Sequence, residues 1–74
     1  MVDKIITKIR MARLEKNYSQ DYIASKLSIS QSYYAKIESG KSEITIKLFL
    51  EIIEILEIDL IDFFKLIKTS KVIK

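Results

Sequence analysis

Cysteine, histidine and proline are missing from the 74 residues, and glycine occurs once. Without Cys or His there are no thiolates, no disulfides, no Cys/His zinc sites and no imidazole for acid–base work. A single glycine cannot build a P-loop or a dinucleotide fingerprint, each of which needs several. The same shortage of Gly and Pro leaves turn-rich β architectures poorly supplied. The absence of Cys also suits a reducing cytosol. Long apolar runs are missing too. Asp3, Lys4 and Lys8 interrupt anything resembling a signal peptide, and the Ile-rich stretch 46–67 is broken by Lys47, Glu51, Glu54, Glu57, Asp59, Asp62 and Lys65. That pattern excludes a membrane-spanning helix and fits helices with one buried face.

What the chain does contain is apolar residues, 49% of the total, enough for one small core. The expectation is a single domain over 1–74, with residues 65–74 as a basic tail or an extension of the last helix. Charge is unevenly placed. Residues 1–47 hold nine Lys/Arg against five Asp/Glu, residues 48–64 hold none against five, and residues 65–74 hold four against none. Such a layout suits ordinary solvated faces, or a basic N-terminal half turned toward a polyanion with an acidic helix turned away.

Capping signals divide the chain. Asp3, Ser19, Ser30, Thr45 and Asp59 are each good N-cap residues ahead of an apolar-periodic segment. Four of these sites also carry the spacing of a hydrophobic staple, with pairs Tyr18/Ile23, Ile29/Tyr34, Ile44/Phe49 and Ile58/Phe63. The spacing predicts five helices at roughly 3–16, 19–27, 30–39, 45–56 and 59–68, joined by links of a few residues that force steep crossings. No internal repeat, low-complexity tract or domain linker appears. Ile52, Ile53, Leu56, Leu60, Phe63 and Phe64 are candidates for the core contributed by the last two helices.

The segment Gln20–Ser39 carries the specific signal. Ile23, Ala24 and Leu27 share one helical face, Tyr34 and Ile37 share another, and Ile29 sits in the short turn between them. Ala24 is small where two steeply crossing helices need close approach. This arrangement resembles the helix-turn-helix of the phage-repressor and Cro-like family, the XRE-type regulators. The resemblance runs from about Ile9 to Phe64 and includes Glu38–Ser39–Gly40–Lys41 and the ending Leu56 through Asp62–Phe63–Phe64. It implies an all-α, five-helix, lambda-repressor-like domain that binds double-stranded DNA. Two positions depart from the family pattern. Ser28 stands where Gly is common in the turn, at a cost of roughly 1 kcal/mol if the residue is left-handed. Tyr34 stands where a branched aliphatic is commoner, which suggests slightly wider spacing of the two helices.

A helix starting at Ser30 would expose Gln31, Ser32, Tyr33, Ala35 and Lys36. Gln31 can offer a donor and an acceptor to the N6/N7 edge of adenine, and Lys36 can reach guanine acceptors or a phosphate. Ser32 can donate to a base edge, while Tyr33 suits the backbone or a thymine methyl. The resemblance implies base reading by Gln31, Ser32 and Lys36; Tyr33 is added on its exposure. Phosphate contacts are expected from Gln20, Ser30, Lys41, Ser42 and Lys47, aided by the open N–H groups at the two helix starts. Lys8 and Arg10 suit non-specific contacts or plain solvation equally. Arg13 and Glu38 match a structural Arg–Glu pair of the family that fixes helix orientation. Gly40 suits a left-handed helix terminus.

Phe49, Ile55, Ile61, Phe64, Leu66 and Ile67 form an apolar surplus, read either as added core or as the patch of a symmetric homodimer. A dimer would set two recognition helices about 34 Å apart on a near-palindromic operator. The expected function is a cytoplasmic, bacterial or phage-encoded transcriptional regulator, a repressor or self-regulating controller such as that of a restriction–modification system. The alternative is an antitoxin that uses the same fold to bind DNA and a toxin protein. Only carboxylates, Tyr and Ser remain for catalysis, with no base–nucleophile pair among them, so no enzyme, metal or cofactor is expected.

Overall fold

In the computed structural model, residues 2–69 are described, with side chains over 3–65. They form five helices: α1 (Val2–Glu15), α2 (Gln20–Leu27), α3 (Gln31–Glu38), α4 (Ile46–Ile55) and α5 (Leu60–Thr69). Four of the expected caps work as such. Ser19 Oγ accepts from the Tyr22 N–H at 2.9 Å, Ser30 Oγ from Tyr33 at 3.0 Å, and Thr45 Oγ1 from Leu48 at 3.1 Å. Asp59 Oδ1 accepts from both Ile61 and Asp62. Asp3 does not cap. It lies inside the first turn of α1, where its charge still complements the positive end of the helix.

The chain has no sequence repeat, yet three of its links are built alike. Asn17–Tyr18–Ser19, Ser28–Ile29–Ser30 and Glu57–Ile58–Asp59 each run left-handed residue, apolar residue, N-cap. The first members have φ of 61°, 60° and 57°. In each, the apolar residue's N–H bonds back across five residues: Tyr18 to Arg13 O, Ile29 to Ala24 O and Ile58 to Ile53 O, at 3.0–3.1 Å. This is the Schellman closure. The apolar residue then packs against the core as the staple of the next helix. One tripeptide ends a helix, anchors the turn and starts the following helix. Gly40, at φ 83°, closes α3 in the same way through Lys41 N–H to Lys36 O at 2.8 Å. A Cβ at Gly40 would meet nothing within 4 Å, so only its φ calls for glycine.

The core joins Ile9 of α1, Ile23, Ala24 and Leu27 of α2, Tyr34 of α3, Ile52, Ile53 and Leu56 around α4, and Phe63 of α5. Each buried Ile or Leu among them contributes roughly 1.5–3 kcal/mol. Phe49 joins this core from its edge, its ring 5.7 Å from that of Phe63 and 6.0 Å from that of Phe64. Leu60 and Phe64, expected as core, are each 37% exposed and lie at its rim. The reason is register: with α5 starting at Leu60, Phe63 is the one residue among the described side chains of that helix to turn fully inward. Lys16 and Glu57 form a surface ion pair at 3.2 Å, of the kind worth at most about 1 kcal/mol.

Ser28 does take the left-handed conformation, without the freedom of glycine. The variant Ser28→Gly is therefore expected to stabilise the domain by about 1 kcal/mol, raising Tm by roughly 4–8 °C. A thermal melt showing no gain, or a loss, would contradict this account of the turn.

Candidate nucleic-acid interface

Two eight-residue helices and one tripeptide build the site. α2 and α3 press Ile23, Ala24, Leu27, Tyr34 and Ile37 inward, which leaves the opposite side of α3 in solvent. Gln31, Ser32, Tyr33 and Lys36, the four expected base-reading residues, are all exposed. Ser32 and Lys36 stand one turn apart, with Gln31 and Tyr33 beside them on the first turn. Because Ser30 Oγ accepts from the chain, its own O–H remains free to donate outward. Lys41 and Lys47 are exposed, and Ser42 is half-buried beside the end of α3, its N–H bonded to Lys36 O.

The far end of α3 is tied down by a buried carboxylate. Glu38 Oε2 accepts from Arg13 Nε and from the Tyr34 hydroxyl, both at 2.7 Å. Oε1 accepts from Arg13 Nη2 at 2.9 Å and from Gln20 Nε2 at 3.0 Å. Arg13 Nη1 spans onward to the Tyr18 carbonyl at 2.8 Å. One carboxylate thus joins α1, α2 and α3. No buried side-chain polar atom among the described residues lacks a partner. Burial alone pushes the Glu38 carboxyl up, but the hydrogen bonds from Arg13, Gln20 and Tyr34 and the Arg13 charge outweigh it and hold the group below its usual range. The bond to Glu38 raises Arg13 further, and burial, then the adjacent carboxylate, pushes Tyr34 well above the ordinary tyrosine value.

The expected Arg13–Glu38 pair is present, and the structure adds three residues to it. Tyr34 is no mere substitute for an aliphatic: its ring fills the core while its hydroxyl completes Glu38. Its i, i+4 spacing to Glu38 was a visible signal. Gln20, expected at a phosphate, has one amide N–H committed to Glu38 and keeps its Oε1 and second N–H. Arg10 donates from Nη2 to the main-chain oxygen of Glu38 at 3.0 Å.

The apolar surplus divides between added core and exposed surface. Phe49 and Ile55 are half-buried and packed against the core, Phe64 lies at its rim, and Ile61 faces solvent. The Leu66 and Ile67 side chains lie outside the described residues. α5 runs through Thr69, which places the start of the 65–74 segment in that helix. Ile46 is 79% exposed and Leu50 47%, and with Ile44, Phe49, Leu60 and Phe64 they line an apolar groove between α4 and α5. Lys47, Glu51 and Glu54 share one side of α4; Phe49 lies opposite them, whereas Ile46 and Leu50 flank that polar side. Among the described residues no helix is long and apolar enough to cross a membrane.

This geometry is that of a recognition helix carried on a supporting helix, and the helix-turn-helix family matches the chain over residues 9–63. The chain belongs to that family, as an XRE-type DNA-binding transcription regulator. No curated protein and no solved structure is similar enough to the chain to count as a match.

Since Glu38 ionises below its ordinary value of 4.5, the folded state gains stability that is fully present above that pH and is lost as pH falls through the lowered value. Melts of the wild type and Glu38→Gln at descending pH are expected to show a wild-type advantage near neutrality that shrinks on acidification. A gap independent of pH would contradict the charged bracket.

Proposed function

We propose that this chain is a repressor or self-regulating controller, acting as a homodimer on a near-palindromic operator. The observation that carries the reading is the polar face of α3, exposed to solvent while the same helix is fixed at its far end by Glu38. A rigid helix with unpaired Gln31, Ser32, Tyr33 and Lys36 suits the major groove of B-form DNA. Ser30, Gln20, Lys41, Ser42 and Lys47 surround that face and suit phosphates. The whole of 1–74 is read as one such domain, working in the cytoplasm of a bacterium or under phage control.

The dimer reading rests on the α4–α5 surface, where Ile46, Leu50, Ile61 and Phe64 expose apolar area on a protein too small to reach useful specificity from one subunit. The same groove suits a toxin partner, which makes an antitoxin the second reading. A stoichiometric second protein that stays bound at high salt would favour it.

Fluorescence anisotropy on DNA from upstream of the gene tests the main reading. Gln31→Ala should cost about 1–3 kcal/mol at one base position, while Lys41→Ala should weaken all sequences alike and flatten the salt dependence. Identical behaviour of the two variants would remove α3 from base reading. Leu50→Glu, at a solvent-facing position, should leave the helical signal intact, halve the mass in sedimentation and lower operator affinity at least tenfold. An unchanged mass would move the dimer contact elsewhere.

A further inference from the structure

Lys8 and Arg10 look alike in the sequence, but α1 sends them to different sides. Lys8, half-buried, lines the groove between α1 and α5 with Met11, Ile58 and Asp62. Arg10, exposed, lines a cleft between α1 and the link after α3, together with Thr7, Lys41 and Ser42. Its guanidinium is not loose there, because Nη2 donates to the Glu38 carbonyl at 3.0 Å. Glu38 is the last residue of α3, so that carbonyl belongs to the negative end of the helix dipole. A polyanion meeting α3 would be repelled at this end twice, by the carbonyls and by the Glu38 carboxylate. Arg13 covers the carboxylate and Arg10 the carbonyl.

A guanidinium has five N–H donors, and the bond to Glu38 uses one of them, so the exposed Arg10 keeps the rest for a ligand. Lys41 lies at the same end, since its N–H bonds to Lys36 O at 2.8 Å and holds its backbone against the last turn of α3. We propose that Arg10 and Lys41 together form a seat for one DNA phosphodiester at the C-terminal end of α3, with Arg10 held in place by the Glu38 carbonyl. The inference rests on the DNA-binding reading above and adds a contact from α1, outside the helix pair. Two carboxylates also line the cleft. Asp3 lies two turns down α1 from Arg10, about 10 Å along the axis, and Glu43 stands two residues beyond Lys41 on the link.

The test is anisotropy of the chain on its own upstream duplex and on an unrelated duplex, each across a salt series. Arg10→Gln is expected to weaken both by the same several-fold factor and to lower the slope of log affinity against log salt by about 0.9, with Tm nearly unchanged. Arg10→Lys should keep the slope, and Lys8→Gln should change neither quantity. A wild-type slope in Arg10→Gln, with Lys41→Ala still flattening it, would reduce Arg10 to a brace for α3 and overturn the seat alone. No binding of either duplex by the wild type would overturn the seat and the DNA reading together.

Discussion

A carboxylate removed from water at the C-terminal end of a helix loses its hydration and faces the negative end of the helix dipole. Glu38 meets both conditions, and the architecture of α1, α2 and α3 is arranged around relieving them. Its two oxygens take four hydrogen bonds, from residues 25, 18 and 4 positions away in sequence. Such a group tolerates no drift. If α3 rolled or slid, a donor would be lost and a buried charge left short of partners, at a cost of about 3–5 kcal/mol if Arg13 itself were removed. The exposed face of α3 is rigid because its hidden face is locked.

That lock also decides which residues are available outside. Gln20 is shared between the interior and the surface, with one N–H turned in and the rest of the amide left for a ligand. Tyr34 is wholly internal, so the two adjacent tyrosines of α3 serve opposite ends: Tyr33 faces solvent and Tyr34 completes the core and the carboxylate. Positive charge gathers at both ends of the helix pair, as open N–H groups at the starts of α2 and α3 and as Lys41 and Arg10 at the end of α3.

Local features were readable in advance and tertiary ones were not. Ser19, Ser30, Thr45 and Asp59 announced helix starts because a cap is satisfied within three residues of itself, and the staples tied the same starts to the core. Asp3 misled, since a carboxylate suits the cap and the first turn equally. The Arg13–Glu38 pair was visible through the family resemblance, but the Arg10–Glu38 and Gln20–Glu38 bonds span 28 and 18 residues and depend on helix crossings that no spacing rule specifies. Register on α4 and α5 was hardest to read. Lys47, Glu51 and Glu54 mark one polar side of α4 and place Phe49, Ile52 and Ile53 opposite it, but Ile46 and Leu50 lie between the two sides, and only packing decides that they stay in solvent.

The tripeptide links leave the chain no slack. One residue added at Asn17, Ser28 or Glu57 would rotate the following helix by about 100° and carry its staple off the core. The connection between α3 and α4, residues 39–45, is the exception, being the longest and the most solvated. Changes of chain length are therefore best absorbed in that connection, where an inserted residue leaves the mutual packing of α1, α2 and α3 untouched.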